Sequence, residues 1–133
     1  MLLYKFNPEQ KFTFLKLVRE IAISDKTLHA KEQSIIRELC GEMGISTINI
    51  VAPLDENTLT EVFDSREVRV LVLVELARLS LVDNVFSYGE SAILNRVRMK
   101  FDFTKKELND VLRLAEIYVL FRQGIRALAA GTT

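Results

Sequence analysis

The chain has 133 residues, 18 basic and 18 acidic side chains, and 49% hydrophobic residues. That is the length of one domain, with apolar content enough for a packed core. Zero net charge excludes a nucleic-acid binder that relies on phosphate neutralisation. A single cysteine, Cys40, excludes an internal disulfide framework.

A lone thiol in an apolar helical stripe reads as a buried structural residue and makes a reducing, cytoplasmic location the expectation. The opening residues 1–5 are too short in apolar length for a signal peptide. Arg69, Glu75 and Arg78 interrupt the most apolar stretch, 68–82, so no segment is expected to span a bilayer.

Asn7-Pro8-Glu9-Gln10 predicts a helix start, with Asn7 as cap, Pro8 in the first turn and Gln10 returning the capping-box bond. Phe14, Leu17, Val18, Ile21 and Ala22 follow at helical spacing as far as Asp25. A second stripe, Ile35, Ile36, Leu39, Cys40 and Met43, stops at Gly44, a residue suited to a left-handed C-terminal turn. Residues 45–63 read as a connection around Pro53, with a short helical turn near Leu59 to Phe63.

Asp64-Ser65-Arg66-Glu67 predicts another capping box, opening a helix through Ser80. The β-branched window Val68 to Val74 fits a strand equally well on its own. Ser87-Tyr88-Gly89-Glu90 predicts a further start before Ile93, Leu94, Val97 and Phe101. Thr104-Lys105-Lys106-Glu107 opens the last helix, over 105–130, with Leu108, Val111, Leu112, Ala115, Tyr118 and Val119 on one face. Gly124 predicts a kink or break in it and Gly131 its end. The basic residues Arg96, Arg98, Lys100, Lys105 and Lys106 read as a solvated helix end rather than a binding patch.

The chain aligns on itself with a shift of 58 residues (83 minus 25). Ile21 falls on Leu79, Asp25 on Asp83, Leu28 on Phe86 and Glu32 on Glu90. Ile35, Ile36, Leu39 and Met43 fall on Ile93, Leu94, Val97 and Phe101. Phe14 and Val18 fall on Val72 and Leu76, which decides the ambiguous window for helix. The expectation is a single all-α domain over 1–133, a helical bundle of two pseudo-repeated helix–acidic loop–helix units at about 8–46 and 65–104.

An aspartate, a turn with an apolar plug, and a glutamate before an apolar helical stripe occur twice here, and the pattern resembles the TerB-like family of tellurite-resistance and related stress domains. The likeness spans roughly residues 12–118. The resemblance implies an all-helical fold of two pseudo-symmetric hairpins and an acidic cluster holding a divalent cation, calcium or magnesium. It also implies a stress-response role beside membrane-protein partners, or a place as the helical domain of a DnaJ-like co-chaperone. Carried onto this chain, the metal positions are Asp25, Glu32, Asp83 and Glu90. The chain departs from the family pattern at Lys26 and Asn84, where glycine is expected, and at His29, where Ser or Thr is expected.

The residues themselves leave two roles open at each acidic position. Glu90, in Ser87-x-x-Glu90, and Glu32, with His29 as a poorer cap, suit capping boxes as well as ligation. Asp25 and Asp83 fall near helix C-termini, where the dipole disfavours an anion by about 0.3–1 kcal/mol. Asx-type bonds to turn N–H groups, a neighbouring lysine or a bound cation would compensate.

An EF-hand fails on spacing, because Glu32 comes seven residues after Asp25 (32 minus 25) instead of eleven. No His/Cys cluster suits zinc, and one His with one Cys makes no credible nucleophile–base pair. The expectation is therefore a non-enzymatic module for an unknown protein partner, with a homo-oligomer as one form of it. Leu120, Phe121, Ile125 and Leu128 are surplus to the last helix's core stripe and mark its candidate surface. A divalent-cation sensor is the alternative.

Overall fold

In the computed structural model the backbone is described for residues 5–24, 26–46, 53–83 and 92–131, and the side chains for 5–21, 33–46, 53–79 and 94–131. These residues are all-helical, without a strand among them. The helices are α1 (Pro8–Ser24), α2 (Lys26–Met43), α3 (Leu59–Val62, preceded by the 3-10 turn Glu56–Thr58), α4 (Arg66–Asp83), α5 (Ala92–Lys100) and α6 (Lys105–Ala130).

Local chemistry sets most of the boundaries. At α1 the Gln10 N–H donates to Asn7 Oδ1 at 2.8 Å and the Asn7 N–H donates to Gln10 Oε1 at 2.9 Å, closing a capping box. At α6, Thr104 and Glu107 close the same box, and Gly131 ends the helix in the left-handed region. At α4 the cap is Ser65, not Asp64: the Val68 N–H donates to Ser65 Oγ at 3.2 Å. With Val68 in the third helical position, no box with Glu67 forms. The window 68–74 is helical, in the middle of α4. No break occurs at Gly124: α6 is one continuous helix through it.

α1 and α2 form an antiparallel hairpin. The Lys11 ammonium near the start of α1 donates to the Met43 carbonyl at the end of α2, at 3.0 Å. α4 packs most extensively against α6. Arg66, in the first turn of α4, pairs with Glu107 in the first turn of α6 and lies 4.5 Å over the Phe103 ring. These two helices therefore run side by side in the same sense. Edge-on and tilted aromatic contacts link the halves: Phe6 meets Phe14 and Phe63 at 5.6 and 5.7 Å, and Phe63 meets Phe101 at 6.0 Å.

Positions 58 apart share backbone geometry at the ends of α2 and α5. Gly44 has φ 68° and Asp102 has φ 61°. The Gly44 and Ile45 N–H groups donate to the Gly41 and Cys40 carbonyls, and the Asp102 and Phe103 N–H groups to those of Met99 and Arg98. Both are Schellman turns. Phe14 and Val72, Leu15 and Leu73, Val18 and Leu76, Leu39 and Val97, and Met43 and Phe101 are buried at both members of each pair. The correspondence breaks at Leu17 and Glu75, where a fully buried leucine in α1 matches a fully buried glutamate in α4.

Candidate functional site

Asp25 and Glu90 lie outside the described residues. Glu32 is an interior residue of α2 and Asp83 the last residue of α4, and the side chains of both are likewise outside the described set. One expectation at these positions needs correction. α2 opens at Lys26, so position 29 is inside the helix and not at its cap position, and position 32 lies beyond the first turn, to which a capping-box glutamate belongs. In the first half a single residue, 25, separates the two helices, not a loop of several. Among the described residues no group of three His, Cys, Asp or Glu side chains is arranged to hold a metal.

The charged cluster that the structure does bring together is a different one. Glu75 is fully buried and Arg78 is 6% exposed. Arg78 Nε donates to Glu75 Oε2 at 2.7 Å, and Arg78 Nη2 lies 3.6 Å from Glu42 Oε2 on α2. Burial pushes the Glu42 carboxyl above the usual carboxylate range. Arg78 opposes that rise, Glu38 and Glu75 add to it, and Arg122 on α6 opposes it. The cluster thus ties α2 to α4.

Arg78 Nη2 and the nearby helix's Tyr118 hydroxyl are buried without a hydrogen-bond partner among the described residues. A buried charge is costly unless paired, and Arg78 balances two carboxylates. Sequence spacing showed Glu75 and Arg78 only as interruptions of an apolar run; their i, i+3 separation was the signal that they pair.

Cys40 is 1% exposed, and burial raises its thiol pKa. Both observations fit a structural thiol, since nucleophilic cysteines are accessible and acidified.

The outer face of α6 inverts this polarity. Its inward residues Val111 and Ala115 are buried, with Leu108 and Leu112 packed partly against the core. Beyond Ala115 no described residue of α6 is fully buried. Of the seven large hydrophobic side chains exposed among the described residues, six are on this helix: Leu114, Ile117, Leu120, Phe121, Ile125 and Leu128, at 51–70% exposure. Each stands about 100–150 Å² in water, so together they make a patch of roughly 700 Å², above the ~300–600 Å² typical of a monomer's largest apolar patch. Of the surplus residues picked out in the sequence, all four are in it; Leu114 and Ile117 were missed.

No curated protein and no solved structure matches the chain at a significant level. The model of a family described as Tellurite resistance protein TerB matches residues 2–52. That segment holds α1, α2, Asp25 and Glu32, while Asp83 and Glu90 fall beyond it, so the match is shorter than the 12–118 over which the motif pattern runs. Over residues 2–52 the chain is therefore similar to the TerB family, and its described residues are all-helical.

Proposed function

We propose that the chain is a non-catalytic TerB-like module of a cytoplasmic stress response, built from two copies of one helical hairpin unit and working by binding a protein through the outer face of α6. The apolar patch on α6 carries this reading: a helix hydrophobic on two faces is stable in water only where the second face is covered for part of its life. The shared Schellman turns at Gly44 and Asp102 support the duplication.

The test is site-specific photo-crosslinking in cells. A photoreactive phenylalanine analogue at Phe121 or Ile117 should give a discrete protein adduct. The same analogue at exposed Lys105 should give none. Absence of an adduct from every position of the α6 face would overturn the reading.

A second reading rests on the TerB match, which spans Asp25 and Glu32: the acidic positions Asp25, Glu32, Asp83 and Glu90 bind a divalent cation and sense it. A site filled at about 100 times its dissociation constant adds about 2.7 kcal/mol of stability. Melting curves with calcium, magnesium or chelator measure it. No shift in the wild type, or an equal shift in Asp83→Asn, removes the cation reading and leaves the interaction reading intact.

A further inference from the structure

Resting on the reading of α6 as an interaction face, we infer that the occupant of that face is a second copy of this chain, paired antiparallel across a two-fold axis at Phe121. The apolar row is symmetric about that residue. Leu114 and Leu128 stand seven positions to either side, and Ile117 and Ile125 four positions to either side. The row reads Leu-Ile-Phe-Ile-Leu in both directions. A two-fold interface must be self-complementary, each residue meeting the one at the mirrored position. Five of the six exposed residues meet that condition in both spacing and residue type; Leu120 stands outside the row, mirrored by Arg122. A foreign partner imposes no such symmetry.

The surface texture of the helix gives the second argument. Ile117, Phe121 and Ile125 form one i±4 ridge, and Leu120, Gly124 and Leu128 form the next. Interdigitating i±4 ridges is the commonest way for two helices to pack. Gly124 opens the groove between the two ridges at its centre. A Cβ at Gly124 would meet nothing within 4 Å inside the chain. A glycine in an exposed helix interior weakens the helix relative to alanine, and nothing inside the monomer requires one here. A second helix approaching this groove does require it.

Area gives the third argument. About 700 Å² from each copy makes roughly 1,400 Å² of buried surface, within the ~1,200–2,000 Å² of stable specific interfaces. α6 packs on α4 through its inner side, where Val111 and Ala115 are buried, so pairing through the outer face leaves the fold as it is.

Light scattering on the purified full chain over a wide concentration range tests this. The expected mass is twice the 15.2 kDa of one chain. Phe121→Asp should give a monomer with unchanged helical circular dichroism. Gly124→Leu adds apolar surface to a site with open space around it, yet should weaken the dimer at least tenfold by filling the groove. A generic sticky patch predicts the reverse, tighter association, and that outcome overturns the proposal.

In the crosslinking experiment the adduct at Phe121 should have the mass of two chains. A monomer at every concentration, together with an adduct to some other protein, overturns the dimer and keeps the interaction reading. No adduct at all overturns both.

Discussion

The charged cluster in the core and the outer face of α6 are opposite in character, and each contradicts the usual rule for its location. On the core side, where Arg78 of α4 reaches Glu42 of α2, lie a fully buried glutamate and a nearly buried arginine. On the outer side stand six large apolar residues in water. The first half of the chain shows nothing comparable at the matching position, since Leu17 occupies the place that Glu75 takes in α4. The difference teaches that α4 and α6 depart from a plain hydrophobic pattern in opposite ways, α4 by burying charge and α6 by exposing apolar side chains.

The sharpest way to break the comparison is at Arg78. Arg78→Met should destabilise the fold by about 3–5 kcal/mol, because Glu75 is left buried without its cation. Chemical denaturation of the purified variant measures this. The double variant Glu75→Leu/Arg78→Met should recover most of the loss, since replacing a buried pair by packed apolar groups is often neutral or better. A double variant no more stable than the single would show that the pair is integral to the packing of α2 on α4.

On the outer side the same measurement should give small effects of the opposite sign. Gly124→Ala, at a dilution that keeps the chain monomeric, should stabilise by about 0.5–1 kcal/mol, the difference between glycine and alanine in a helix interior. Phe121→Ser should change monomer stability by no more than about 0.5 kcal/mol, as exposed positions do. A loss of several kcal/mol at Phe121 would place that ring in the core and erase the contrast between the two faces.

What the sequence revealed follows the range of the interactions involved. Both capping boxes, at Asn7 and Thr104, were legible because each closes within four residues. The left-handed turn at Gly44 was legible for the same reason. Its counterpart at Asp102 was not flagged, because aspartate adopts that conformation only where the surrounding turn holds it. Ser65 was one residue away from the expected cap, a distinction that two adjacent capping residues leave to the tertiary structure. Gly124 suggested a kink or break because glycine weakens helices, and α6 nonetheless continues through it as one helix.

The Glu42–Arg78–Glu75 cluster required knowing that two helices distant in sequence, α2 and α4, meet. The outer apolar face was half visible. A stripe count finds surplus residues, while deciding which of two stripes faces the core needs α4 in place.

The smallest expected effect is also a comparison, between two glutamates that titrate in opposite senses. Burial holds Glu42 above the usual range. The folded chain therefore binds that proton more tightly than the unfolded one, and ionising Glu42 costs stability. The cost is absent below the unfolded value near 4.5 and complete once pH exceeds the folded value. Glu107 is exposed, and the Thr104 backbone N–H, aided by the Thr104 hydroxyl and Arg66, holds it below 4.5. Its contribution is present above the unfolded value and lost as pH falls through the folded one.

Glu42→Gln should therefore gain on the wild type as pH rises from 3 to 7, and Glu107→Gln should lose ground over the same range. Thermal melts across that range read both slopes. The Glu107 slope depends on a local cap and should persist in Arg78→Met. The Glu42 slope should steepen there, because Arg78 no longer offsets the desolvation of the carboxylate. Parallel slopes in the two glutamine variants would show that the inner cluster is as open to water as the helix start, and the contrast between the cluster and the outer face of α6 would then be one of shape alone.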